Sequence, residues 1–342
     1  MSLPAQLYPL IKPLLFRLDA ERAHELTVRW LRLLNRVGLI RPAALWRGGA
    51  VNCMGLDFPN PLGLAAGMDK SASAVDAWAA MGFGSVEVGT LTPRPQDGNA
   101  KPRLFRLPQH QALINRMGFN NPGIESAVQR LRRRRGKAVV GVNIGKNFDT
   151  PNERAVDDYL TCLRAAHEVA DYVAVNISSP NTKGLRDLQN EEAVRALVAT
   201  LMQECALLDQ RSGRRVPLAV KIAPDLDGAQ IEALARVFNE LQPAGVIATN
   251  TTIARAAVAS HPLGAEVGGL SGAPLEQASL RVLAALRALL KPSISVIGVG
   301  GIVRAQDAVA KQQAGARVVQ VYSGLVYRGP ALIAEVLGEM AS

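Results

Sequence analysis

Cysteine, histidine and aromatic residues are all scarce in this 342-residue chain. Its three cysteines, Cys53, Cys162 and Cys205, form no CxxC pair and leave an odd count, so neither a disulfide framework nor a four-cysteine iron–sulfur or zinc site is available within the chain. The four histidines, His24, His110, His167 and His261, show no HExxH or similar spacing, and no metal is expected. Aromatics make up 4% of the residues, and none interleaves with the densest basic run, Arg132-Arg-Arg-Arg-Gly-Lys137. Single-strand stacking needs such interleaving, and no known nucleic-acid motif appears, so no nucleic-acid partner is expected. No stretch reaches the roughly 18 consecutive apolar residues needed to span a bilayer.

What is present is an apolar chain, 48% hydrophobic, with a formal net charge of +10. The charge suggests an anionic partner without choosing among nucleic acid, anionic lipid and a phosphate- or carboxylate-bearing ligand. The arginine run itself reads as a solvated helix end, with cations near the negative pole of the helix.

Eight short runs rich in Val, Ile, Leu and Ala recur: 62–67, 85–90, 139–145, 172–178, 218–224, 245–251, 295–301 and 317–323. They predict parallel strands buried on both faces. Helix-like stretches at 155–170, 191–208, 228–241 and 275–290 separate several of them. This alternation predicts an α/β fold, a (β/α)8 TIM barrel, which takes about 250 residues and leaves room for an extension. A doubly wound open sheet is the alternative. Against it, no GxGxxG follows the first strand, and polar residues gather at the ends of nearly all eight runs. The chain divides into a helical extension, 1–45, and a barrel domain, 46–342.

Chemistry-bearing residues collect at the strand ends. The run Val173-Ala-Val-Asn-Ile passes into Ser178, Ser179, Pro180, Asn181, Thr182 and Lys183, which is how a barrel presents reactive groups; alone, it could also be a turn whose side chains satisfy backbone groups. The long connection 91–135 contains Asn115-Arg-Met-Gly-Phe-Asn-Asn-Pro-Gly123, where Asn115 can bond amide edges and Gly118 permits close backbone approach. The glycine-rich ends Val296-Ile-Gly-Val-Gly-Gly-Ile302 and Val321-Tyr-Ser-Gly-Leu325 follow the seventh and eighth strands, where barrels often bind phosphate, and a helix starting near Ser323 would add its dipole. Lys221, in an otherwise apolar strand, needs an anionic partner if buried, and a reduced flavin is one; the other reading is a lysine that snorkels to the rim.

Taken together, these motifs closely resemble the dihydroorotate dehydrogenases of the membrane-associated, quinone-using class, in family order from Tyr8 to about Ala334. The resemblance implies that dihydroorotate is oxidised to orotate in pyrimidine (UMP) synthesis, with FMN accepting hydride and a membrane quinone accepting electrons last. It makes Ser179 the base, where related classes use a cysteine, and requires no iron–sulfur partner subunit. It assigns FMN binding to Ala66, Gly67, Lys70, Thr90, Asn143, Asn176, Lys221, Thr249, Gly272, Gly301, Tyr322 and Ser323. Substrate contacts fall to Lys70, Asn115, Arg116, Met117, Gly118, Phe119, Asn176, Asn181, Asn250 and Thr251, with Thr182 and Phe119 bordering the route by which Ser179 loses its proton. His24, Arg106 and Tyr322 are placed on the quinone side. A sugar-phosphate isomerase or lyase barrel, and a membrane-bound barrel without catalysis, are the competing readings.

The extension carries Leu3, Leu7, Leu10, Ile11, Leu14 and Leu15, interrupted by Pro9 and Pro13, then a stripe of Ala23, Leu26, Trp30, Leu33, Leu34 and Val37 at helical spacing. Asp19 is placed to cap that second helix and Gly38 to end it. A helical pair packed on the barrel is one reading. Arg22, Arg29, Arg32 and Arg36 support another, an interfacial helix drawn to anionic lipid. No signal-peptide pattern precedes it. A monomer, peripheral on the cytoplasmic face of a bacterial inner membrane, is expected.

Overall fold

The computed structural model describes residues 3–40 and 46–341. The boundary placed at residue 45 falls on 41–45, outside the described residues.

Eight parallel strands close into a barrel: Leu62–Leu64, Ser85–Leu91, Val139–Ile144, Tyr172–Asn176, Leu218–Ile222, Gly245–Ala248, Ser295–Val299 and Val318–Val321. Each pairs with the next in sequence, and the eighth pairs with the first. All eight expected runs supply a barrel strand. Their side chains are buried between an outer ring of helices and the barrel interior, which is why the runs are apolar without alternation. Each fully buried Leu or Val contributes about 1.5–3 kcal/mol.

The helices expected at 155–170, 191–208, 228–241 and 275–290 form as Ala155–His167, Glu191–Ser212, Gly228–Leu241 and Glu276–Leu289. An antiparallel hairpin, Val51–Cys53 with Leu56–Phe58, closes the barrel's amino-terminal end. Its Cys53, Met54 and Phe58 pack among Tyr172, Ile247, Ile297 and Val318, and the Met54 N–H donates to Ser295 Oγ at 2.9 Å.

One sheet has no counterpart in the sequence reading. Within the long connection, Leu104–Leu107 and Ala112–Asn115 pair antiparallel, and Gly269–Gly272 adds to the second of them. The third strand comes from more than 150 residues away, so no local pattern announces it. The sheet raises a wall beside the barrel mouth.

The extension forms α1 (Leu3–Leu15) and α2 (Ala20–Arg36). α1 continues through Pro9 and Pro13. Asp19 caps α2, accepting from the N–H groups of Glu21 and Arg22 at 3.1 and 3.0 Å, and Gly38 follows the helix at φ +73°. Both helices are fastened to the barrel. Arg103 grips Glu21 through two bonds, Nε to Oε2 at 3.0 Å and Nη2 to Oε1 at 2.7 Å, with both side chains buried. Burial would push the Glu21 carboxyl up, but Arg103 and Lys101 hold it below the usual carboxylate range. The Tyr8 hydroxyl donates to Val326 O at 2.5 Å, and Lys12 Nζ to Tyr327 O at 2.7 Å.

All three cysteines are free and buried. His167, Cys205 and Asp209 do converge to within 4.8 Å, a grouping invisible in the sequence spacing. Their polar atoms already bond one another and the Val216 backbone, fastening the approach to the fifth strand: Asp209 Oδ1 lies 2.7 Å from His167 Nε2 and accepts from Val216 N–H at 3.1 Å, and Cys205 Sγ donates to Val216 O.

Candidate active site

The carboxyl ends of the strands surround a cavity of about 130 Å³. Parallel strands all deliver their terminal residues to this one end, so residues far apart in sequence meet here. Ser179, Lys70, Thr90, Asn115, Asn176, Asn181, Lys221, Thr249, Asn250 and Thr251 line it, as do Ala66, Gly67, Met117, Gly118, Phe119, Gly272, Gly301, Tyr322 and Ser323.

Two of the expected residues do not line it. Arg116 points its side chain elsewhere: Nη1 donates to Glu266 Oε2 at 2.6 Å, and the guanidinium stacks on Phe105, 4.6 Å from the ring centroid. Its sequence neighbours Asn115 and Met117 line the cavity, while Arg116, just past the end of the strand Ala112–Asn115, turns outward. Asn143 is buried behind the lining, bonded to Thr90, Asn176 and Glu87.

The amides form a continuous network. Asn250 Nδ2 donates to Ser178 Oγ at 3.0 Å and to Asn176 Oδ1 at 3.4 Å; Asn176 Nδ2 donates to Thr90 Oγ1 at 2.9 Å; Thr90 donates to Asn143 Oδ1 at 2.6 Å. Across the mouth, Asn181 Nδ2 donates to Asn115 Oδ1 at 3.1 Å. Such mutual bonding fixes the direction in which each amide presents its remaining groups.

The network ends on Glu87, which the sequence reading passed over as part of an apolar strand. Glu87 is fully buried. Its Oε1 accepts from Asn143 Nδ2 at 2.8 Å and Lys221 Nζ at 3.2 Å, its Oε2 from Tyr172 at 2.9 Å and Gln320 Nε2 at 2.8 Å. Burial opposes its charge, but Lys221 and the donors Gln320, Asn143 and Tyr172 hold the carboxyl below its ordinary range. This corrects the argument from Lys221. The lysine does not snorkel, being 4% exposed, but its anionic partner is supplied by the chain itself, and its burial alone does not demand a flavin.

Ser179 Oγ accepts the Asn181 N–H at 3.2 Å, and among the described residues its hydroxyl donates to no protein acceptor. Its Oγ, which lines the cavity, is not committed as a donor within the protein. Thr182 is buried nearby in the same loop, and Phe119 lines the cavity with φ +55°. Arg186, also unforeseen, ties the two sides of the mouth together by donating to Ser178 O at 3.1 Å, Thr251 O at 2.9 Å and Asp225 Oδ2 at 2.8 Å.

A second, apolar cavity of about 200 Å³ lies between α1, α2 and the barrel, with Leu7, Ile11, Leu26, Trp30, Leu34 and Met81 among its walls. The three quinone-side candidates, His24, Arg106 and Tyr322, all line it, and Tyr322 also lines the polar cavity. Arg106 donates to Leu15 O at 3.0 Å and to Leu18 O, and stacks on Phe16, so it closes the end of α1. Lys70 lines the polar cavity, and Lys70 and His24 both line a further recess beside α2. Burial pushes the Lys70 ammonium down to about 8, with Glu21 opposing; burial, then Lys70, push His24 down to about 3. Burial pushes the Tyr322 phenol up to about 12.

The family model for dihydroorotate dehydrogenase matches residues 49–342. The chain belongs to the dihydroorotate dehydrogenase family. It is 56% identical over 335 residues to a dihydroorotate dehydrogenase (quinone) of Flavobacterium lutescens, covering 96% of this chain and 95% of that one. It is also 56% identical to the Chromobacterium violaceum protein of the same name, covering 96% of each. The ligand-free dihydroorotate dehydrogenase of Eimeria tenella superposes with a TM-score of 0.86 at 40% identity, covering 94% of each chain; the ferulenol complex of the same enzyme gives 0.85. The family is flavin-dependent. No helix among the described residues is long and apolar enough to cross a membrane.

Proposed function

We propose that this chain oxidises dihydroorotate to orotate in pyrimidine (UMP) biosynthesis, with FMN as hydride acceptor and a membrane quinone as final electron acceptor. The observation that carries this is the pairing of two unlike cavities on Tyr322, one polar with Ser179 at its mouth, the other apolar and roofed by α1 and α2. A phosphate-sugar isomerase has no use for the second cavity.

The residues present suit a flavin. Gln320 lines the polar cavity, and its Oε1 is buried without a hydrogen-bond partner among the described residues, an uncommitted acceptor for a ring N–H. Gly272 and Gly301, at φ +96° and +81°, turn the backbone in ways that side-chain-bearing residues resist, at strand ends where amides can meet a phosphate. Tyr322 and Ser323 complete that end. Bound there, the flavin accepts a hydride. Lys221 presents a cation to it, already balanced by Glu87.

The chain's own work is positioning and proton removal. Lys70 offers charge to the substrate carboxylate, and Asn115, Asn176, Asn181, Asn250 and Thr251 offer donors and acceptors to the cyclic amide. Ser179 passes its own hydroxyl proton out along the route that Thr182 and Phe119 border and takes the proton from one ring carbon while the hydride leaves its neighbour, and the ring double bond forms between them. A positioned base of this kind is worth about 10²–10⁴ in rate.

The extension is read as the membrane-facing part of a peripheral, monomeric protein on the cytoplasmic face of a bacterial inner membrane. Ten of the fifteen exposed large apolar side chains among the described residues lie between Leu7 and Leu39, a concentration that supports interfacial docking. An absorbance experiment tests the whole reading. Purified protein should be yellow and bleach on anaerobic addition of dihydroorotate, then recover on addition of a quinone. A colourless preparation that FMN cannot reconstitute overturns it.

A further inference from the structure

The arginine run that the sequence presents as a solvated helix end does not stand alone. Beside it, the carboxyl-terminal half of α2 brings Arg32 and Arg36 to the same cavity as Arg130, Arg133, Arg134 and Arg135, a recess of about 480 Å³ on the outside of the barrel. The two groups are nearly 100 residues apart in sequence, and only the docking of α2 unites them.

Several surface arginines are paired, among them Arg164 with Glu204 at 2.8 Å and, within the run itself, Arg132 with Glu168 at 2.6 Å. In the recess the balance fails. Arg32, Arg36, Arg133 and Arg135 have no acidic side chain within ion-pair distance among the described residues, and Arg130 donates only to Ser71 O at 2.7 Å. Arg134 meets Asp171 at 2.9 Å, but its Nη1 is buried with no hydrogen-bond partner among the described residues. The one carboxylate in the lining, Asp76, uses Oδ1 to accept the N–H groups of Arg135 and Gly136 at 3.0 and 2.8 Å. Like charges gathered this closely repel one another, and a polyanion relieves the repulsion while filling planar, forked donors suited to phosphate oxygens.

The surroundings indicate which polyanion. Leu33, Val37 and Leu39, 48%, 60% and 50% exposed, are interspersed with Arg32 and Arg36 at and just beyond the end of α2. A ligand with its anionic head in the recess can therefore lay an apolar tail along this column. Nucleic acid and soluble phosphates have no such tail, and no aromatic side chain in the arginine run offers a base a stacking surface.

We propose that this recess is a headgroup site for an anionic phospholipid, with preference for one carrying two phosphates, and that it fixes the angle at which the protein sits on the bilayer. The proposal rests on the membrane reading of the extension and adds a specific seat contributed by the barrel.

The test uses flavin-loaded full-length protein, the double variant Arg133→Gln/Arg135→Gln, and a control with two cations removed far from the recess, Arg211→Gln/Arg281→Gln. Sedimentation is measured with vesicles of phosphatidylcholine alone, and with phosphatidylglycerol or diphosphatidylglycerol added at equal total phosphate charge. Neither variant touches the active site, so flavin content and anaerobic reduction by dihydroorotate report folding and should not change.

The recess variant should bind diphosphatidylglycerol vesicles roughly tenfold to thirtyfold more weakly, from about 1 kcal/mol per lost cation near a charged surface. The control should lose less than half as much on a logarithmic scale, and binding to phosphatidylcholine should be unchanged in both. An equal loss in the two variants means diffuse surface charge and overturns the site while the membrane reading stands. Wild-type protein that sediments with no vesicle overturns both. Inorganic pyrophosphate that binds wild type but not the recess variant in calorimetry, with no vesicle difference between them, identifies a soluble phosphate ligand and overturns the lipid assignment.

Discussion

The two cavities that meet at Tyr322 are built in opposite ways. The polar one draws a residue or two from nearly every strand end, and most of its polar side chains are aimed by hydrogen bonds to one another or to a fully buried carboxylate. The apolar one is built largely from two consecutive helices, and its polar groups, such as Arg106 and Tyr8, are spent on fastening those helices to the barrel. Directional groups select one small polar ring in one orientation. A surface of leucine, isoleucine and tryptophan recognises apolar bulk with little regard to its angle. The same chain thus holds a strict site and a tolerant one a few residues apart.

The sharpest way to separate them is at the polar mouth. Ser179→Ala should keep FMN and slow anaerobic reduction by dihydroorotate by about 10²–10⁴, leaving reoxidation by quinone unchanged. Stopped-flow traces in which both half-reactions slow together would erase the division of labour. Glu21→Ala attacks the fastening of the other cavity. It leaves the buried Arg103 guanidinium unpaired and should cost about 3–5 kcal/mol in denaturant unfolding, with quinone reduction lost before dihydroorotate oxidation. Because the folded pKa of Glu21 is depressed, its contribution is fully present above the unfolded carboxylate pKa and should disappear as pH falls through the lower folded value.

Glu87→Gln examines the floor shared by network and cofactor. With its negative charge gone, Lys221 acts uncompensated, and the flavin midpoint potential should rise by on the order of 30 mV, a tenfold change for a two-electron couple. A spectroelectrochemical titration showing a fall would reverse the argument. Lys70, pushed down to about 8, should lose its proton within the working range. Orotate affinity should then weaken by about tenfold per pH unit above that value, since only the ammonium attracts the carboxylate. The smallest effect belongs to His24: at about 3 it stays neutral, and the quinone half-reaction should show no His24-dependent inflection between pH 5 and 8, a point that His24→Gln can check.

The barrel was readable because strands buried on both faces leave continuous apolar runs, and much of the lining of the polar cavity because strand ends carry their polar residues in order. What escaped was long-range pairing. Gly269–Gly272 becomes a strand only because Ala112–Asn115 lies beside it, and Glu87 and Gln320 read as blemishes in apolar runs until the barrel closes and sets them against Lys221 and Tyr172. Arg116 misled in the reverse direction, since motif neighbours do not share a face in an extended segment. Lys221 was placed correctly at the cavity but for an incomplete reason, its partner lying 134 residues earlier.

Among the described residues Tyr322 is the one common to the two cavities, and this has a consequence for inhibition. Compounds lodged on its two sides occupy separate volumes, so a pyrimidine analogue and an apolar quinone mimic can reside on the same molecule. Double-inhibition plots for such a pair should intersect, and a single compound that competes with both substrates must displace that ring or reach past it.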